Sequence, residues 1–212
     1  MKMEHGARDL SNTETCRQLN VTVLGDAGVG KTSLIFAYAI ETAPCSSIPS
    51  QFDGFPVNVR LDEETVKLHI SNGTGLQDIE LLRYNCFSRT NVFIVCFSIA
   101  SPHSFHNAYK LWIPEVRKHF PDKPIILVGM KPDLHNSFST TRKLSQTAVH
   151  SKTVSKNKAE RVVKRFKKVK YIECSANCGE NVRRVFEKAA KAVSNKKANE
   201  TIAYGNSYCG IM

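Results

Sequence analysis

The chain has 212 residues, is 42% apolar and 23% charged, and carries a net charge of +11. That length allows one domain with a sizeable core and some chain to spare, and the composition excludes a wholly disordered or collagen-like protein. No run nears the roughly 18 apolar residues of a membrane span, residues 1–16 hold no signal-type apolar stretch, and seven scattered cysteines fit a reducing compartment.

Residues 1–18 are polar and are expected to form a mobile extension. Leu19–Leu24 (LNVTVL) is predicted as a strand and Lys31–Ala39 (KTSLIFAYA) as the helix after it. Phe55–Leu61 and Thr65–Ile70 alternate apolar and polar residues around the polar turn Asp62-Glu63-Glu64, a hairpin signal. Asn91–Ser98 (NVFIVCFS) and Pro124–Gly129 (PIILVG) are nearly continuous apolar runs, as strands buried on both faces require. Ser104–Phe120 has helical spacing, 155–168 is predicted as a short basic amphipathic helix, Lys170–Cys174 as the last strand and Asn181–Val193 as the last helix. Strands alternating with helices predict a mostly parallel sheet covered on both faces, with the hairpin adding an antiparallel edge. The domain is expected over 19–194 and a flexible tail over 195–212.

Gly25-Asp26-Ala27-Gly28-Val29-Gly30-Lys31-Thr32 fits G-x-x-x-x-G-K-[ST], between a predicted strand and a predicted helix. Glycines let the backbone curl so that successive N–H groups point at phosphate oxygens. Lys31 supplies a cation for the β- and γ-phosphates, the Thr32 hydroxyl can ligate Mg²⁺, and the helix start adds its positive dipole end. Further along, Met130-Lys131-Pro132-Asp133 follows the strand PIILVG. A carboxylate at Asp133 can accept from the N1–H and N2–H₂ edge of guanine, a pair of donors adenine lacks. The Lys131 stem can lie over the base, and Ser175-Ala176-Asn177 after the last strand offers backbone donors to the base oxygen.

Together these residues resemble the Ras superfamily of small GTPases, and the Rho family in particular. The Rho-like pieces are Ile48–Asp53, Val92–Ser98, Trp112–Arg117, Pro124–Gly129 and Tyr171–Ala176. The resemblance implies a P-loop NTPase small G-domain: α/β, with a six-stranded, mostly parallel sheet flanked by helices, and a Rho-type insert helix at about 142–168. It implies bound GTP or GDP with Mg²⁺, and switch segments at about 43–53 and 72–86. The nucleotide set it implies is Gly25, Asp26, Ala27, Gly28, Val29, Gly30, Lys31, Thr32, Ser33, Ser50, Gly75, Lys131, Asp133, Ser175 and Ala176. Thr32 and Ser50 would take Mg²⁺, and Phe52 and Asp53 would face effector proteins.

Several positions depart from the family pattern. Ser50 stands for the usual threonine, Ala43 for the aromatic over the base, and Ser47 for the switch tyrosine. Base–aromatic stacking is worth about 1–3 kcal/mol, so its loss weakens affinity roughly 10- to 100-fold. The second switch reads Asn72-Gly73-Thr74-Gly75-Leu76 where D-T-A-G-Q is usual. Asn72 removes a negative charge near Mg²⁺, and Gly75 keeps its N–H for the γ-phosphate. Leu76 replaces the glutamine that orients the attacking water, leaving no catalytic residue intact; Gln77 is the nearby alternative. Ala27 crowds the space that a stimulating arginine needs. Hydrolysis is therefore expected to be weak or absent. Met130, in place of Asn or Thr, is expected to remove a hydrogen bond that ties the base loop to the phosphate loop.

Residues 142–170 hold eleven Lys or Arg against one acid, Glu160, and so carry ten of the eleven net charges. Such a run is either a solvated face or a surface for an acidic partner. Cys209-Gly210-Ile211-Met212 fits C-a-a-X with a terminal Met, which favours a farnesyl group and predicts a location at the cytoplasmic face of a membrane. A single lipid chain holds reversibly and needs a second signal. Three functions follow. The chain is a membrane-anchored, persistently GTP-bound switch, like the Rnd-like branch of the Rho family. Or it is a scaffold of the same fold that binds nucleotide weakly or not at all. Or it is a basic adaptor for anionic lipid or nucleic acid. A monomer is expected, with no specific nucleic-acid ligand.

Overall fold

The computed structural model describes residues 17–42, 53–61, 64–73, 87–134 and 153–205. Its strands are β1 (Arg17–Leu24), β2 (Asp53–Leu61), β3 (Glu64–Asn72), β4 (Val92–Ser98), β5 (Ile125–Met130) and β6 (Val169–Cys174), in the sheet order β2-β3-β1-β4-β5-β6. β2 pairs antiparallel with β3 and every other pair is parallel, as the sequence predicts.

The strand sequences explain the layering. Along β4, Val92, Ile94 and Cys96 enter one core while Phe93, Val95 and Phe97 enter the other, and all seven residues are buried. β5 divides the same way, with Ile126, Val128 and Met130 against Ile125 and Leu127. Period-two alternation within a wholly apolar run is what a strand covered on both faces requires. Each such side chain contributes about 1.5–3 kcal/mol. The hairpin differs: Val57, Val59 and Leu61 are buried while Pro56, Asn58 and Arg60 are exposed, so this edge is covered on one face.

Helix α1 (Lys31–Thr42) buries Leu34, Ile35, Tyr38 and Ala39 against the first core. α5 (Val182–Gly205) joins it there, the Tyr38 and Phe186 rings stacking at 4.1 Å. The opposite face carries α2 (Pro102–Asn107), a π turn (Ala108–Trp112), α3 (Ile113–His119) and α4 (Lys156–Val163). α2 starts where Ser101 accepts from the Ser104 N–H at 3.2 Å, with Pro102 in the first turn, where its missing N–H is harmless. Among the described residues no helix is long and apolar enough to cross a membrane.

The first four elements run one to three residues longer than expected, β1 beginning at Arg17 within the expected extension, and three later differences are larger. The 104–120 helix begins earlier and is interrupted by the π turn. The last helix continues past Val193 to Gly205, into residues expected as tail. The helix within 142–168 is Lys156–Val163, and it is the crossover that parallel strands β5 and β6 need, with Ala159 and Val162 buried in the second core. It is therefore the crossover rather than an added helix, and residues 142–152, the first part of the insert expected over 142–168, lie outside the described residues.

Candidate functional site

At the end of β1 the chain turns back through Gly25–Gly30 into α1. Gly25 has φ +135°, and a Cβ there would collide with the Cys96 carbonyl oxygen, so the loop must begin with glycine. Gly28 and Gly30 also take positive φ. The loop wraps around Lys31, whose Nζ donates to the carbonyls of Gly25 and Asp26, both at 2.7 Å. Lys31 is 4% exposed. Burial pulls its pKa below the ordinary lysine value, opposed by the neighbouring Cys96 and Asp26. The ammonium thus sits at the centre of the loop, while Thr32 and Ser33 open to solvent at the helix start.

Asp26 holds the loop from behind. Its carboxylate accepts from Asn107 Nδ2 and from Trp112 Nε1, each at 2.8 Å. Asn107 and Trp112 are five residues apart. The π turn, in which the Ile113 N–H reaches the Ala108 carbonyl, brings positions five apart to one side. So Asp26, expected among the nucleotide contacts, spends its side chain on structure.

Met130-Lys131-Pro132-Asp133 leaves β5 beside this loop. Lys131 takes φ +62°, and its Nζ donates to the Gly28 carbonyl at 2.9 Å. The base loop is therefore tied to the phosphate loop through Lys131, although Met130 lacks a polar side chain for the purpose. The Met130 methyl lies instead against Gly30, at 3.4 Å from where a Cβ would stand. Asp133 Oδ1 accepts from the Ser175 hydroxyl at 2.7 Å, and Ser175 Oγ accepts from the Cys178 N–H at 3.2 Å. Ser175 is buried and fixes the carboxylate from the neighbouring strand end. Between the two loops lies a cleft of about 340 Å³, lined by Gly30, Ser33, Lys131, Asp133, Ala176 and Asn177 among others. That is within the range of small-ligand sites.

The described metal donors are fewer. Thr32 Oγ1 accepts from Asn72 Nδ2 at 3.2 Å. A carboxylate at 72 would take the hydroxyl proton and leave the oxygen lone pairs for a cation; the amide engages one of those lone pairs instead. No group of three His, Cys, Asp or Glu able to hold a metal occurs among the described residues. Among the described residues, the donors at the two loops suit a phosphate and a guanine, and the Thr32 hydroxyl, held by Asn72, is the expected Mg²⁺ ligand that is described.

A six-stranded, mostly parallel sheet with a lysine-centred loop after its first strand defines a phosphate-loop nucleotide-binding domain. The Ras family model matches residues 20–195, and the chain belongs to that family. It is a small GTP-binding protein of the signalling class, and members of this family generally bind GTP or GDP with Mg²⁺ and reach effectors through switch segments.

Of the expected site residues, Gly30, Ser33, Lys131, Asp133 and Ala176 line one cleft, the rest of the Gly25–Thr32 loop curls around Lys31 beside it, and Ser175 holds Asp133 from below. Asp53 is described as the first residue of β2, its backbone opposite Ser71. Ala43, Ser47, Ser50, Phe52, Gly75, Leu76, Gln77 and Cys209 lie outside the described residues. Sequence reasoning missed the roles of Asn107 and Trp112, which stand 81 and 86 residues from Asp26; Trp112 enters the sequence reading only as the start of the Rho-like run Trp112–Arg117. It also missed the Lys131 tie, which needs the positive φ at Lys131 to form.

Proposed function

We propose that this protein is a Rho-type signalling switch that holds GTP and hydrolyses it weakly or not at all. The observation that carries the reading is the joined pair of loops. Lys31 centres one, Asp133 is oriented in the other by Ser175, and Lys131 links them across the cleft. Binding machinery of this kind is consistent with a retained nucleotide, while Leu76 offers no hydrogen bond to an attacking water. Ser50 and Thr32 would face the metal, Gly75 the γ-phosphate, and Phe52 and Asp53 effector proteins. A farnesyl group on Cys209 would hold the protein at the cytoplasmic face of a membrane. Control would then come from abundance or modification rather than a hydrolytic cycle.

The test is to purify the protein, denature it and identify the nucleotide released. GTP near one per protein is expected; GDP would refute impaired hydrolysis. A second reading, a scaffold that binds nucleotide weakly, is favoured by the Asn72 amide on the Thr32 hydroxyl. It predicts an empty protein in the same measurement. Cys209→Ser is expected to move the protein to the soluble fraction; an unchanged distribution would count against the anchor.

A further inference from the structure

The Asp26 carboxylate, which holds the phosphate loop from behind, has room for another donor. A carboxylate offers about four lone-pair sites. Trp112 Nε1 takes Oδ1 and Asn107 Nδ2 takes Oδ2, each at 2.8 Å. Trp112 is buried and Asn107 half-buried, and the Asp26 side chain stays 20% exposed. Beside it stands His103, the second residue of α2, with a side chain that is 83% exposed. His103 Nδ1 lies 3.9 Å from Asp26 Oδ2 and 3.4 Å from Asn107 Nδ2.

The contacts of this ring depend on its protons. A neutral imidazole with its proton on Nε2 accepts at Nδ1, and the Asn107 amide can direct its second hydrogen there. A protonated ring has no acceptor. Its Nδ1–H is repelled by that amide and drawn to Oδ2, about 1 Å beyond bonding distance. An exposed side chain turns that far within nanoseconds. Asp26 is the acid within ion-pair reach of the ring among the described residues. The other titratable groups near it turn elsewhere. Lys31, in the same loop as Asp26, bonds the Gly25 and Asp26 carbonyls. On the helical run that carries His103, His106 and Lys110 lie against the Tyr109 ring. From α4, Lys158 lies over the Phe105 ring.

We propose that His103 is a positioning residue of the phosphate loop: when protonated it joins Asn107 and Trp112 on the Asp26 carboxylate, firms the loop around Lys31 and slows nucleotide release. The inference rests on the reading that the cleft holds a guanine nucleotide, and adds acid-sensitive retention to it. Two effects act in this direction. A further charge-assisted bond narrows the positions open to Asp26, whose backbone carbonyl is one of the two that hold Lys31. A cation on the carboxylate also cancels part of the negative charge beside Lys31, leaving more of the ammonium's field for phosphate. One effect opposes them, because a cation in the first turn of a helix works against the helix dipole. Exposed ion pairs are weak in any case, so the net change in release rate is small, about two- to threefold. An imidazole titrates at about pH 6.5, which puts the change within the physiological range.

The probe is a fluorescent GTP analogue that resists hydrolysis, loaded on the full chain, with release followed at about pH 6 and about pH 8. Acid also protonates the terminal phosphate, so each rate is compared with that of His103→Gln, whose side chain is neutral at both. The natural protein is expected to release about two- to threefold more slowly than His103→Gln at the lower pH and equally at the higher. His103→Arg, charged at both, should be slow at both, and His106→Gln should behave as the natural protein does. Salt at about 0.5 M should erase the difference. A ratio that does not change with pH, or a His103→Arg variant that releases as fast as His103→Gln at the higher pH, overturns the proposal. A protein that cannot be loaded would show instead that the nucleotide reading has failed. The same pairing must then raise the melting temperature of the natural protein above that of His103→Gln at the lower pH and not at the higher, and equal melting temperatures at both would overturn it.

Discussion

The contact between Asn72 and Thr32 leads to a prediction about magnesium. Asn72→Asp replaces an amide that donates to Thr32 Oγ1, at 3.2 Å, with a carboxylate that accepts from it. A cation on that oxygen would then stand about 4–5 Å from a new negative charge. Two unit charges at 4 Å are worth about 1 kcal/mol in water and about 4 at a protein surface. The contact lies at the surface, with Thr32 exposed and Asn72 half-buried, so the lower end applies. Even that end, acting on a divalent ion, tightens Mg²⁺ roughly tenfold or more. The assay is the release rate of a fluorescent guanine nucleotide with and without a chelator. In the natural protein, chelation is expected to change release by less than about threefold, because metal adds little to retention. In the Asn72→Asp variant the same treatment should speed release by about tenfold or more. The reasoning fails if the natural protein is as sensitive to chelation as the variant.

Asp133→Ala should lower GTP affinity by about 1–3 kcal/mol and abolish the preference for GTP over ITP, which lacks the N2 amino group; competition binding measures both. Trp112→Phe removes a charge-assisted hydrogen bond from Asp26 worth about 1.5–3 kcal/mol. The melting temperature should fall by about 3–10 °C, and an unchanged one would show that Asn107 alone secures the loop. Burial pushes the thiols of Cys96 and Cys174 up to about 12 from an ordinary 9.0, so in the folded state they keep protons that the unfolded chain gives up. Stability should therefore be level below pH 9 and fall by about 1.4 kcal/mol per thiol per pH unit above it. Denaturant unfolding at pH 8 and 10.5 checks this, and Cys96→Ala should reduce the drop.

What was legible in the sequence was whatever local pattern dictates. The unbroken apolar runs of β4 and β5 could be satisfied in a sheet covered on both faces, and Gly25 to Thr32 could be satisfied by a turn into a helix. Asp133 was legible because it follows a central strand, although the serine that orients it, Ser175, comes 42 residues later. The rest depends on distance in space. Asp26 reads as one more loop residue until the fold delivers Trp112 to it. Lys131 reads as a lid on the base, and its tie to Gly28 exists because the chain takes a left-handed turn there. The basic run 155–168 was expected to be one amphipathic helix. Its helix stops at Val163 because the chain must turn, with Lys168 at φ +57°, to enter β6 beside β5.

The widened turn at Ala108–Trp112 has a consequence for how this sequence can change. Deleting a single residue there would relax the segment into an ordinary α-helix and close the gap. Asn107 and Trp112 would then stand four apart, which in an α-helix still sets them on one face. The acid behind the phosphate loop would thus keep both partners in reach, so the widened turn absorbs an extra residue without turning the helix away from Asp26. Residue identity is the tighter constraint here: Leu111 can be exchanged or removed, whereas Asn107 and Trp112 each carry a bond to a loop more than eighty residues upstream.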